Sequence, residues 1–341
     1  MHSVNILNLT LPEIEKVLIG IGQPPYRAKQ IYKWIYEKGV ESFDEMANLP
    51  KPLIRQLNQR YFINTFKDVQ VLTSQDKSKK VIFTLMNGKA IESVIIPTRN
   101  RSTICISTQI GCRFKCSFCA SGMKGFTRNL SPAEMINQIT YAKFHLKEEL
   151  TNYVFMGMGE PLDNYKNLTK TLYIMNSKEA LNIGARRITI STSGITPAVK
   201  KLKDLKMQIN LSLSLHAVNN LLRNKLMPIN RKHPLEPLID AVNEYAEFSG
   251  RMVTLEYIVL AGVNNSFKDA CELVDIASKL HAKVNLISYS RVKGLNFKEP
   301  TESDMQKFLS MLIKRRCNVT VRDSRGKDID AACGQLAGKN N

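Results

Sequence analysis

Apolar positions change their rhythm twice along the chain. From Leu11 to Gly20, Arg27 to Lys38 and Pro50 to Arg60 they recur at helical spacing, and Gly20, Gly22, Pro24, Pro25 and Gly39 mark the joints. Residues 1–65 therefore read as a small helical unit. Between Phe66 and Ile96 the rhythm becomes alternating, with Asn87-Gly88 separating the runs Lys80–Leu85 and Ala90–Ile96. Asn-Gly readily adopts the positive φ angles of a tight hairpin turn, so 66–100 reads as a β-hairpin extension, ended by Pro97.

Beyond residue 100, strand patterns alternate with helical ones. Strands are expected at Thr103–Ser107, Tyr153–Met156, Arg187–Ser191, Ile209–Leu215, Met252–Leu260, Lys283–Tyr289 and Asn318–Arg322. Helices are expected at Pro132–Leu146, Tyr165–Ser177, Pro197–Leu202, Pro234–Phe248, Phe267–Leu280 and Ser303–Arg315, several opening on Ser or Pro as helix starts prefer. Such alternation implies a parallel sheet, either a partly closed barrel or an open doubly wound sheet. The unusual residues favour the barrel. Cys112, Cys116 and Cys119 follow the first strand and Gly157-Met158-Gly159-Glu160-Pro161 the second. Ser191-Thr192-Ser193-Gly194 follows the third, Ser214-Leu215-His216 ends the fourth, and Asp323–Cys333 follows the last. All lie at C-terminal strand ends, the face on which parallel α/β barrels build their sites.

The cysteine spacing C-x3-C-x2-C carries the most chemistry. Three thiolates can hold three irons of a 4Fe–4S cube, and no fourth cysteine lies nearby to close it. An iron without a protein ligand is free to bind a substrate. Two plainer readings compete: a zinc site completed by His145 or His216, and unligated buried thiols. Cys271 and Cys317 read as core residues.

Composition narrows the setting. The chain has 341 residues, 43% of them hydrophobic, with no apolar run long enough to cross a bilayer. Its first residues lack a basic segment followed by an apolar core, so no signal peptide is expected. Seven cysteines, an odd number, fit a reducing compartment, and a soluble cytoplasmic protein is expected. Net charge is +19, from 49 Lys+Arg against 30 Asp+Glu, which favours a polyanionic partner such as nucleic acid. Basic clusters lie at Lys77, Lys79 and Lys80, at Arg186 and Arg187, from Arg223 to Lys232 and from Lys314 to Arg316. In the second helix, Ile31, Trp34 and Ile35 read as core, while Arg27, Lys29 and Lys33 are free to face RNA.

The cysteine loop, with Phe118 before its last thiol, and Gly157–Leu162 after the next strand resemble the radical S-adenosylmethionine (SAM) superfamily. Gly125-Phe126-Thr127-Arg128-Asn129-Leu130, Ser214-Leu215-His216 and the closing stretch Asp328–Gly338 narrow the resemblance to the RlmN/Cfr family of radical SAM RNA methyltransferases, over nearly the whole chain. The resemblance implies an α/β fold with a partial (β/α)6 radical SAM barrel over 101–322. It also implies an N-terminal helical RNA-binding accessory domain over 1–65, a β-hairpin region over 66–100 carrying Glu92, and a C-terminal segment over 323–341 carrying the methyl-accepting cysteine. It further implies one 4Fe–4S cluster on Cys112, Cys116 and Cys119 with an exchangeable iron, and SAM held by Gly159, Glu160, Ser191, Ser214, Leu215 and His216. The family usually places Asn-Pro after the sixth strand; here Tyr289-Ser290-Arg291 stands there, leaving Ser290 a shorter polar contact.

By the same resemblance Cys333 carries the methyl group, Cys105 resolves the intermediate through a transient disulfide, and Glu92 accepts a proton. On its own pattern Cys105 would read as a core thiol and Glu92 as solvent-facing. The implied reaction uses two SAM per turnover to methylate carbon 2 of adenosine, in the peptidyl-transferase centre of 23S rRNA and just 3′ of the anticodon in tRNA. An electron donor such as flavodoxin or ferredoxin is implied. The alternatives are Cfr-type methylation at carbon 8, against which the Gly125–Leu130 segment argues, and a non-catalytic RNA-binding protein with zinc. Nothing in the pattern signals an oligomer, so a monomer without membrane partners is expected.

Overall fold

Parallel strands covered by helices on both faces call for near-continuous apolar runs. The strands here alternate instead. Ile188, Ile190, Leu211, Leu213, Leu255, Tyr257, Val284 and Leu286 are buried, and between them stand Thr189, Ser191, Ser212, Glu256 and Asn285. One face must therefore avoid the apolar layer. In this computed structural model it lines a cavity. The structure describes residues 3–337; residues 1–2 and 338–341, including Gly338 of the closing motif, lie outside the described residues.

A ten-stranded sheet runs through the molecule, its spatial order following the chain. Its strands are β1 (Phe66–Thr73), β2 (Lys79–Leu85), β3 (Ala90–Thr98), β4 (Arg101–Cys105) and β5 (Asn152–Phe155). They continue as β6 (Ile188–Thr192), β7 (Asn210–Ser214), β8 (Thr254–Val259), β9 (Lys283–Ser288) and β10 (Val319–Arg322). Strands β1 to β4 pair antiparallel, and every pair from β4 to β10 is parallel. The crossovers carry helices Pro132–Phe144, Tyr165–Asn176, Thr196–Lys201, Leu235–Ser249, Phe267–Lys279 and Glu302–Ile313. The result is the expected partial barrel with one further strand, β10, at its edge. Capping boxes at Ser131/Glu134, Ser266/Asp269 and Thr301/Asp304 start three of the helices.

The N-terminal residues form helices Leu11–Gly20, Arg27–Lys33 and Lys51–Arg60. The expected helix over 27–38 continues past Lys33 as a π-helical turn, Trp34–Lys38. Gly39 ends it at φ 73°, with its backbone so close to Phe144 that a Cβ would lie 2.4 Å from the ring. Ile31 and Ile35 are buried, Trp34 is partly buried with its indole N–H bonded to Asn48, and Lys29 and Lys33 are exposed. These residues share one apolar core with the helix Pro132–Phe144. The hairpin forms where Asn87-Gly88 places it, and β1 adds a third antiparallel strand that alternation alone did not resolve.

Several cations of the basic clusters are engaged within the fold. Lys80 is buried with its ammonium 3.4 Å from the Asp330 carbonyl, Lys79 pairs with Glu148 at 2.7 Å, and Arg186 bonds Gln208. Arg223 is the clearest correction, being fully buried. Its guanidinium donates to the carbonyls of Leu215 (3.1 Å), Ser193 (2.6 Å) and Ser214 (3.1 Å) and to Asn230 Oδ1 (2.7 Å). One side chain thus ties together the chain just past β6, the end of β7 and the segment after helix Asn220–Leu226. Replacing Arg223 by Met removes four buried hydrogen bonds at once, although the Leu215 carbonyl keeps the Ala217 N–H. We expect a loss of at least about 3 kcal/mol in denaturant unfolding, whereas Met at exposed Arg231 should change stability by less than about 0.5 kcal/mol.

Candidate active site

The cysteine loop is shaped by backbone constraints on both sides. Gly111 sits at φ 71°, and a Cβ there would lie 1.7 Å from the Gly125 carbonyl oxygen, so only glycine allows this approach. Cys112 N–H donates to that same carbonyl (3.0 Å), and Ser117 N–H donates to Leu226 O (2.9 Å). The loop ends in the short helix Ala120–Met123. Cys112, Cys116 and Cys119 thereby line a cavity of about 790 Å³ that runs along the barrel interior, from strand starts such as Thr103, Asn210 and Lys283 to the loops at the C-terminal strand ends. Burial pushes the Cys112 thiol up to about 12 and raises Cys116 and Cys119, with mutual repulsion adding to Cys112 and Cys116. Buried thiols of this kind ionise readily only against a compensating cation, which suits soft iron ligation. No three His, Cys, Asp or Glu groups among the described residues gather tightly enough for a single metal ion. Of the two histidines offered to complete a zinc site, His145 lies outside this cavity, paired with Glu41 at 2.9 Å and stacked on Tyr141.

Of the residues expected to hold SAM, Gly159, Glu160, Ser191, Ser214 and His216 line the same cavity, whereas Leu215 and Ser290 lie behind its lining. Gly159, at φ 93°, comes so close to Gln109 that a Cβ would lie 2.4 Å from its side chain. Glu160 is buried and fully engaged: Oε1 accepts from Leu162 N–H, and Oε2 from the Ser193 N–H (2.7 Å) and hydroxyl (2.8 Å). It fixes the loop after β5 to the loop after β6. The hydroxyls of Ser191 and Ser214 face each other across 3.3 Å. Leu215 is buried, its N–H donating to Glu256 O. His216 sits at φ 55°, its Nδ1 accepting from Ile258 N–H (3.1 Å) and its ring edge-on to Phe118. Burial, aided by Arg223, lowers His216 to about 3, so it is neutral. Ser290 is buried with its hydroxyl unpartnered. Three thiols on one wall, glycine-lined backbone, paired hydroxyls and an orphaned one together suit a cluster and a polar nucleoside cofactor.

Cys105, at the end of β4, and Cys333 line the cavity together although the whole barrel separates them in the sequence. Cys105 is buried, whereas Cys333 is exposed. Burial pushes the Cys105 thiol up to about 12, with Cys333 adding to the shift and Arg322 opposing it. Glu92 differs from its solvent-facing expectation. It is 1% exposed, and its Oε2 accepts from Ala337 N–H (3.1 Å). The segment that carries Cys333 is gripped from two sides. At the turn between β1 and β2, Ser74 Oγ donates to Asp328 (2.5 Å), Gln75 N–H to the same carboxylate (3.1 Å), and Gly326 N–H to Asp76 (2.8 Å). At the cluster side, Ala120 N–H donates to Gly334 O (2.8 Å) and Ser121 Oγ to Leu336 O (2.6 Å).

The pattern analysis missed four residues that shape this site. Gln109 accepts from Glu160 N–H and donates to Asn129 and Asp163. Arg223 stands behind the rim, and Glu256 and Arg322 line the cavity. The available signal was the period-two polar positions of β6 to β10, which mark an inward polar face.

Comparisons with known proteins agree with this geometry. Residues 4–63 match the ribosomal RNA large subunit methyltransferase N-terminal domain, and residues 106–274 match the radical SAM superfamily. The chain is 43% identical to the dual-specificity RNA methyltransferase RlmN of Syntrophus aciditrophicus, covering 99% of this chain and 98% of that one. It is 41% identical to the protein of that name from Geotalea uraniireducens, over 99% of this chain and 98% of that one. The crystal structure of a radical SAM methyltransferase from Sphaerobacter thermophilus superposes with a TM-score of 0.95 at 40% identity, covering 98% of this chain and all of that one. A partial barrel whose cysteine loop faces two further cysteines, joined to that N-terminal unit, accounts for these matches: the chain belongs to the RlmN family of radical SAM RNA methyltransferases.

Proposed function

We propose that this chain methylates carbon 2 of adenosine, acting on 23S rRNA in the peptidyl-transferase centre and on tRNA just 3′ of the anticodon. The observation that carries the reading is the presence of Cys105 and Cys333 in the same cavity as the three-cysteine loop. Two thiols beyond the cluster set are what a cysteine-borne methyl transfer with a resolving step requires. Cys112, Cys116 and Cys119 would hold the 4Fe–4S cluster. Gly159, Ser191, Ser214, Leu215, His216 and Ser290 would hold SAM, with Glu160 fixing the loops around it. The bound cluster and SAM supply the one-electron chemistry that activates an otherwise unreactive methyl carbon.

The chain's own residues do the rest. Cys333 takes a methyl group onto Sγ as a thiolate nucleophile and presents that carbon to the base. Glu92, bonded to the backbone of the Cys333 segment at Ala337, takes the proton lost from carbon 2. Cys105 then attacks Cys333 Sγ as a thiolate. The sulfur–carbon bond breaks with its electron pair passing to the departing carbon, which takes up a proton to become the methyl group. The Cys105–Cys333 disulfide left behind must be reduced before another turnover. The +19 net charge supports a polyanionic substrate. Exposed Lys29 and Lys33 on the N-terminal unit, residues 1–65, suit an RNA-binding accessory role. We place the protein in the cytoplasm as a monomer reduced by a flavodoxin or ferredoxin; among the described residues no helix is long and apolar enough to cross a membrane.

Nucleoside mass spectrometry of rRNA and tRNA from strains with and without this gene should show 2-methyladenosine only when it is present; an unchanged amount in both RNAs would reject the reading. Cys105→Ala should trap RNA covalently on Cys333, seen as a protein–RNA band on a denaturing gel, and normal turnover would remove Cys105 from its role. Cys333→Ala should keep iron content and SAM cleavage while RNA methylation falls below detection. Methylation at the wild-type rate would exclude this thiol as the carrier.

A further inference from the structure

Glu256 is buried in the barrel and Arg322 half-buried at its edge strand, and the chemistry assigned above uses neither. Glu256, on β8, is 4% exposed and lines the cavity. Its Oε1 accepts from Asn285 Nδ2 (3.2 Å), and Thr320 Oγ1 donates to Asn285 Oδ1 (2.7 Å), which fixes the amide's orientation. Its Oε2 is buried with no hydrogen-bond partner. A buried acceptor of this kind calls for a donor that the folded chain does not provide. Burial raises the Glu256 pKa, opposed by the charges of Arg322 and Lys283 and by the neighbouring Asn285 and Ser212 side chains.

Arg322, on β10, lines the same cavity. One N–H reaches the weak acceptor Met156 Sδ (3.6 Å), and the guanidinium makes no other hydrogen bond among the described residues. Cys333 is the strongest influence raising its pKa, against burial, with Glu256 and Cys105 adding. Strand pairing sets Glu256 level with Asn285 on β9, and places Arg322, on β10, two residues further toward the C-terminal strand ends. Arg322 thus stands nearer than Glu256 to the end from which the segment after β10 brings Cys333 into the cavity.

We propose that Arg322 and Glu256 form the base-recognition subsite for the RNA adenine, with Glu256 Oε2 accepting from the exocyclic amine and Arg322 donating to the adjacent ring nitrogen. Along the Watson–Crick edge of adenine the order is carbon 2, ring nitrogen, exocyclic amine. That order places carbon 2 on the side of Cys333 and Cys105 when the other two groups are paired. Guanine reverses both partners, setting a carbonyl against the carboxylate and an N–H against the guanidinium. An extruded base is read by such contacts to its edge, and a site built to bond a polar group rejects the analogue lacking it. The proposal rests on the RNA methyltransferase reading for the position of the base. SAM also carries an adenine, so the test must separate the two sources.

Binding is measured by fluorescence anisotropy on the anaerobically reconstituted enzyme without reductant, so that no turnover occurs. The probes are tRNA anticodon stem-loops carrying adenosine, purine riboside, which lacks the amine, or 1-deazaadenosine, which lacks the ring nitrogen, 3′ of the anticodon. We expect wild type to favour adenosine over each analogue by about tenfold. Glu256→Ala should bring the adenosine-to-purine-riboside ratio to about one, and Arg322→Met should do the same for 1-deazaadenosine. SAM affinity, by equilibrium dialysis, should stay within about twofold in both. Equal binding of adenosine and both analogues by wild type overturns the proposal without reference to any variant. So does retention of the wild-type ratios in both variants, or a tenfold loss of SAM affinity with the RNA ratios unchanged, which would assign the subsite to the cofactor. No methyl transfer is needed, so the result is independent of which carbon the enzyme modifies.

Discussion

The structure depends on one constraint: a parallel sheet whose two faces have opposite chemistry. Ile190, Leu211, Leu213, Leu255, Tyr257, Val284 and Leu286 must leave water, and the crossover helices cover them. Thr189, Ser191, Ser212, Glu256 and Asn285 cannot be buried against those helices without partners. A curved sheet satisfies both demands, with apolar residues outside and a hydrated polar hollow within. The cysteine loop and the C-terminal segment form the wall that the strands leave open. Fold and site therefore follow from a single alternation.

The rim of the hollow is held mainly by backbone groups and by polar side chains that are themselves satisfied. Arg223 bonds three carbonyls near the ends of β6 and β7. Glu160 binds the backbone of the loop after β6 from the loop after β5, and Gln109 anchors Glu160 in turn. Such groups fix the shape of the rim. Glu160, expected to hold SAM, has both carboxylate oxygens engaged by protein donors.

Much of this was legible in the sequence, because periodicity and C-terminal strand ends follow from local geometry. The seven parallel strands fall within a few residues of their expected places, and the cysteine loop, the glycine loop and His216 meet at one cavity as their positions required. Burial of charge was not legible. Arg223 and Lys80 sit in basic runs, and a run records composition, whereas long-range partners decide which cation is enclosed. Glu92 shows the same limit, since its partner Ala337 comes from the far end of the chain. The π-helical turn at Trp34–Lys38 was hidden because its apolar spacing differs little from that of an α-helix.

The grip of Ser74, Gln75 and Asp76 on the segment from Gly326 to Asp328 joins the extension to the tail that bears Cys333. Neither piece is therefore an independent module. A chimera that exchanged only the tail, or only the hairpin, would set unmatched surfaces against each other beside Cys333. The two are best regarded as one inherited cassette, split in the gene by the whole barrel and reunited only once the chain has folded.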